Sequence, residues 1–152
     1  MSNVYRYRRG PQVERWVAKT GTVAIEQGDM LKITGSVGAV TPVKASGDSL
    51  FLAGIAMDAS PATDATGTKI RMLEPGHGTV FEFPAAAKDQ YYFGGTFKIT
   101  GDQELTFATT TNTTMWTTAT NIVAICAETT NGSSTNVLVQ FLAGVYQKDI
   151  RT

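Results

Sequence analysis

The chain holds one histidine and one cysteine, the two residue types whose ordinary pKa values lie closest to neutral pH. His77 stands in the turn Glu74-Pro75-Gly76-His77-Gly78. As a general base it needs a hydroxyl or thiol within hydrogen-bond reach and a third group to orient its ring. The surrounding residues supply neither, so it is read as a turn histidine. Cys126 lies in the continuous apolar run Ile122-Val123-Ala124-Ile125-Cys126-Ala127, which predicts a strand buried on both faces and an inert thiol. The carboxylates of Asp58, Asp64, Asp102 and Glu104 are scattered, without the loop order of a calcium site. Gly94-Gly95 marks a turn, since no helix follows to make it a phosphate cradle. The expectation is a protein that is not an enzyme, with no metal, no cofactor and no small-molecule substrate.

The residue types that suggest contact chemistry lie at the start. Residues 1–20 carry five bases against the single acid Glu14, a net of +4, which leaves the other 132 residues at −4. Tyr5 and Tyr7 alternate with Arg6 and Arg8, followed by Arg9, so an extended chain puts rings on one face and guanidinium groups on the other. Gly10-Pro11 interrupts the segment, and Arg15 and Trp16 continue it. Residues 1–19 are therefore expected to form an extended basic, aromatic arm on a body spanning 20–152. Two readings of the arm stand: a solvated terminus, or an arm that orders on a protein surface, its own or a neighbour's. Ordering costs roughly 1–2 kcal/mol per residue, and an exposed ion pair returns only about 0.2–1 kcal/mol. The second reading therefore needs the tyrosines to bury area as well. The charges sum to zero over the whole chain, which excludes a generally basic nucleic-acid binder. A phosphate contact through Arg6, Arg8 and Arg9 is the remaining nucleic-acid reading, and nucleic acid is not the expected partner.

The elements that must position these residues read as strands. Short runs rich in Val, Ile, Phe and Thr at 15–18, 22–26, 30–34, 39–43, 51–57, 69–73, 79–83, 96–100, 122–128 and 136–142 are bounded by Gly, Asp, Asn or Pro. The turns include Gln27-Gly28-Asp29, Gly101-Asp102 and Asn131-Gly132. The only segment with a helical period is a single turn near 85–90. The predicted fold is all-β: a compact β-barrel, β-tulip or β-sandwich. Three blocks recur in the same order at offsets of 66–70. Gly28-Asp-Met-Leu-Lys-Ile-Thr-Gly35 matches Gly94-Gly-Thr-Phe-Lys-Ile-Thr-Gly101, residues 55–60 match 125–130, and residues 68–73 match 135–140. They predict two similar halves, at 28–90 and 94–144.

Between the blocks, 108–121 is a polar, nearly chargeless stretch of threonines centred on Trp116, which is expected to be a contact-making loop. Trp116, Tyr91 and Tyr92 are the stacking candidates if the chain is a glycan- or receptor-binding module of a fibre, spike or adhesin. No run approaches the 18 apolar residues of a membrane helix, and the first residues lack the apolar stretch of a secretory signal. Synthesis and folding in a cytosol, with no membrane partner, are expected.

The run Leu52-Ala-Gly-Ile-Ala-Met57, a polar linker, and Thr68-Lys-Ile-Arg-Met-Leu-Glu-Pro-Gly-His-Gly-Thr-Val-Phe-Glu-Phe83 resemble the lambda-type head decoration proteins of tailed phages. The resemblance is clear over residues 50–84 and loose over 20–142, and this chain departs from it in being longer and duplicated. It implies a β-rich capsid cement protein, often a homotrimer, that sits on the exterior of the mature virion head and bridges subunits of the major capsid (coat) protein. The partner-binding residues it would use are Tyr5, Arg6, Tyr7, Arg8, Arg9, Arg15, Trp16 and Trp116.

Overall fold

The computed structural model describes residues 6–34, 39–42, 52–75, 78–101, 103–107 and 122–141. These residues are all-β. Eleven strands run in chain order: β1 (Arg6–Arg9), β2 (Gln12–Ala18), β3 (Met30–Thr34), β4 (Ala39–Pro42), β5 (Leu52–Ala56), β6 (Lys69–Pro75), β7 (Val80–Asp89), β8 (Thr96–Gly101), β9 (Glu104–Phe107), β10 (Ala124–Cys126) and β11 (Ser134–Phe141). They form a five-stranded sheet ordered β2-β6-β5-β3-β4 and a six-stranded sheet ordered β1-β7-β11-β10-β8-β9.

Adding five to each strand number of the first sheet gives β7-β11-β10-β8-β9, the second sheet without β1. Closure repeats too. A parallel bridge from Lys19 to Val40 draws β2 and β4 together, and a parallel pairing of Ala85 with Leu105 joins β7 to β9. Each half is thus a small five-stranded barrel, and register is preserved between them. Arg15↔Met72 and Val17↔Ile70 on β2/β6 become Phe81↔Val139 and Phe83↔Val137 on β7/β11. The turns copy their hydrogen bonds. Gly28 N–H donates to Ala56 O at 2.8 Å, and Gly94 N–H to Cys126 O at 2.9 Å. Gly28 and Gly94 both take positive φ, 95° and 85°, which explains why the turn keeps glycine in both copies.

The two halves are drawn differently from the limits 28–90 and 94–144 expected from the matching blocks. The first copy runs from β2 through β6 and the second from β7 through β11, so Gln12–Ala18 is a barrel strand. The helical turn expected near 85–90 is instead the end of β7, where Ala85 and Asp89 pair with β9 and β11. The strand expected at 22–26 reduces to one bridge, Ile25↔Ser60, because Thr22 turns the chain at φ 66°.

The interior of the first barrel is Ile25, Leu31, Val40, Ala56, Ile70 and Met72. The corresponding positions of the second are Tyr91, Phe97, Leu105, Cys126, Val137 and Val139. Tyr91, Phe97 and Phe107 pack with ring centroids 5.2–5.6 Å apart. The second interior is continuous with Met30, Leu52, Ile55 and Leu73 from the first barrel, so both halves contribute to this larger of two core clusters. Gly54 permits the close β5–β6 approach, since a Cβ there would lie 2.6 Å from Leu73 O.

Two connections cross between the sheets at one place. β1 pairs antiparallel with β7 and β2 with β6, so residues 6–18 run as one bent ribbon along 69–75 and 80–82. At the bend Gly10 takes φ 103°, and a Cβ there would lie 2.4 Å from Gly78 O. Buried Thr79 fastens the crossing by donating from its hydroxyl to Pro11 O at 2.6 Å.

Candidate functional site

The expected contact residues divide between the two sheets. Tyr5 and Trp116 lie outside the described residues, as do His77 and Asp102. Arg6 pairs through its backbone with Glu82 in β1. Tyr7, the next residue, turns its ring onto the core and meets Phe81 edge-on at 6.2 Å, while its hydroxyl donates to Gly10 O at 2.6 Å. Arg8 faces the other way and pairs with Glu82. The period of two thus separates ring from guanidinium as the alternation suggests. Arg9 pairs with Glu128, and Arg15 with Glu74. Three guanidinium groups of the basic segment therefore lie against carboxylates of the body.

Trp16 is different. It sits mid-strand in β2, opposite Arg71, and is 64% exposed. Val13 on the same strand is also exposed. The open side of β2 faces away from β6, and among the described residues no strand pairs with it over Gln12–Val17. A second apolar point lies at the β7–β8 turn, where Tyr92 and Phe93 are exposed. Sequence reasoning missed Val13 and Phe93. The internal repeat holds the signal for Phe93, because Tyr92-Phe93-Gly94 replaces Glu26-Gln27-Gly28 in a turn with the same backbone bonds. Tyr91, expected as a stacking residue, is buried in the second barrel, and its hydroxyl donates to Ala87 O. Its ring is used for packing.

The ionisable groups away from this strand serve the fold. Cys126 is buried, its thiol donates to Glu128 O at 3.1 Å, and burial pushes its pKa up to about 11. Arg71 grips both oxygens of Asp58 at 2.7–3.2 Å, and Asp58 also accepts the Arg71 backbone N–H at 3.0 Å. The guanidinium holds the Asp58 carboxyl below the ordinary carboxylate range. Lys19 is buried and donates to Pro61 O at 2.5 Å, while Ser60 donates to Asp64 at 2.5 Å, together fixing the loop after β5. Among the described residues no three of His, Cys, Asp and Glu are grouped to hold a metal ion, and no helix is long and apolar enough to cross a membrane. What the arrangement offers chemically is a hydrogen-bonding strand edge with exposed apolar side chains. Compared with known proteins, the chain matches no family model and no curated protein.

Proposed function

We propose that the chain is a capsid decoration protein, which binds the outer surface of a mature phage head and stabilises it by bridging coat subunits, as a homotrimer. The observation that supports this best is the duplicated barrel, whose halves are joined through a core cluster to which both contribute. It makes a rigid body whose exposed large apolar side chains, Trp16 and Phe93 foremost, lie on an outer strand and on a turn tip of the other copy. A bridging protein needs a stiff spacer with separated contacts. Several such contacts on one shell act together through effective concentration. The resemblance of residues 50–84 to lambda-type decoration proteins supports the same reading. Pairing of Arg8, Arg9 and Arg15 with body carboxylates weighs against phosphate as the ligand.

Co-sedimentation with expanded, empty heads of the phage that encodes the chain tests the proposal. Saturable binding at a fixed ratio to coat protein, with heads that then withstand a higher temperature, is expected. Failure to sediment with heads overturns it. The exposed Tyr92 and Phe93 keep a glycan-binding module as the second reading, and specific hits on a glycan array would favour it over decoration.

A further inference from the structure

The second barrel shows what becomes of a strand edge that the first leaves open among the described residues. On β7 the outer edge is covered by β1, with Arg6↔Glu82, Tyr7↔Phe81 and Arg9↔Val80 paired antiparallel. By the register of the repeat, Val80, Phe81 and Glu82 correspond to Glu14, Arg15 and Trp16 of β2. That edge carries no strand among the described residues. We propose that the open edge of β2 over Gln12–Val17 accepts an extended segment of the coat subunit as an added antiparallel strand, covering β2 as β1 covers β7. The identity of this partner rests on the decoration reading above.

The backbone is oriented for it. Lys19 N–H donates inward to Thr68 O at 2.9 Å and Thr20 N–H outward to Val40 O at 3.0 Å. The β2–β6 register runs without a bulge from Gln12 to Ala18. The alternation of an antiparallel ladder then turns the N–H and C=O of Gln12, Glu14 and Trp16 toward the open side. Unpaired strand edges of this kind are templates for strand addition.

The side chains argue for a different protein as occupant over a second copy of this one. Two β2 edges related by a two-fold axis pair antiparallel about a central residue. The two registers that align five residues of 12–17 set the two Glu14 side chains, or the two Arg15 side chains, directly opposite each other. Like charges so placed are destabilising. A foreign strand suits the edge when it sets an acid opposite Arg15, a base opposite Glu14 and an apolar side chain opposite Trp16. Trp16 then loses the solvent exposure that the free protein leaves it.

Glu14→Pro tests this directly. It removes one outward donor and leaves the inward bonds of Val13, Arg15 and Val17 to β6 in place, a position where an edge strand tolerates proline. Glu14→Ala removes the same side-chain charge and keeps the backbone donor, so the difference between the two variants reads the donor alone. On expanded heads, affinity is expected to fall about tenfold or more for Glu14→Pro and by less than about fivefold for Glu14→Ala, which loses the exposed charge pair but keeps the outward donor, with both variants keeping the wild-type circular dichroism. Wild-type protein that does not bind heads overturns the decoration reading and this proposal with it. Wild-type binding together with undiminished binding of folded Glu14→Pro overturns the strand edge alone. If Glu14→Pro instead dissociates an oligomer of the free protein, the edge joins copies and the coat-strand proposal fails. Should Glu14→Pro not fold, amide exchange of the wild type decides. Fast exchange at Glu14 and Trp16 in the free protein, slowed on heads, supports the added strand, and unchanged exchange overturns it.

Discussion

Arg71 and Asp58 form the most fully hydrogen-bonded ion pair among the described residues, and their pH behaviour follows from its geometry. Hydrogen bonds from the guanidinium and from the Arg71 backbone favour the charged carboxylate, so the pKa of Asp58 is lowered in the folded state. Unfolding returns it to its ordinary value near 3.8. The unfolded chain therefore binds the proton first, and the pair's contribution is complete above that value and is lost as pH falls through the lowered one. Thermal unfolding followed from pH 7 to pH 2 is expected to show the wild type losing its advantage over Asp58→Asn at the acid end. A constant difference across the range would contradict this. The corresponding acid in the second copy is Glu128, which pairs instead with Arg9. Neither partnership is visible in the sequence. The alternation of Tyr7 with Arg8 and Arg9 announces a ring face and a charged face, but Glu82 lies 74 residues from Arg8, and only chain folding brings it there.

At the scale of the element, β1 gains its place through Tyr7. The four-residue strand has one edge partner, and its inward side chain meets Phe81 while its hydroxyl closes on Gly10. Tyr7→Ala is expected to destabilise the protein by about 1–3 kcal/mol. Tyr7→Phe should lose only the hydroxyl bond, about 0.5–1.5 kcal/mol. Urea unfolding of the two variants checks the order, and equal losses would show that the ring contact contributes nothing. Most strands were legible because Val, Ile, Phe and Thr runs end at turn residues. The exceptions have physical causes. Ala85, Ala86 and Ala87 favour helix intrinsically, yet pairing with Leu105 across and with Asn136 beside Pro84 keeps β7 extended. Glu104–Phe107 is short and starts from a tight turn, so β9 shows only through its pairing with β8. The exposure of Trp16 is likewise a matter of sheet order. In the sequence it is a candidate contact residue of a basic, aromatic arm, and its edge position emerges only from the sheet order, in which β6 is its one ladder partner among the described residues.

For the molecule as a whole, the shared core governs how it unfolds. Met30, Leu52, Ile55 and Leu73 of the first barrel belong to the same cluster as Phe81, Phe83 and Phe141 of the second. One cooperative transition is expected, with fluorescence, circular dichroism and calorimetry coinciding, and two separable transitions would contradict the shared core. The three matching blocks of the sequence fall on β3 and β8, β5 and β10, and β6 and β11. The first strand of each copy, β2 or β7, carries no such block, because Arg15 and Glu74 form an ion pair in one copy and Phe81 and Phe141 stack edge-on in the other. The bent ribbon at Gly10 and Gly78 carries a mechanical consequence. Seven cross-strand pairs on one side of the bend and three on the other tie 6–18 to 69–75 and 80–82. Ladder hydrogen bonds stand perpendicular to their strands. A pull along residues 6–18 therefore strains many bonds together in shear, whereas a pull across the strands peels them one at a time. Tension applied along this direction is shared among these bonds, and tension across it is not.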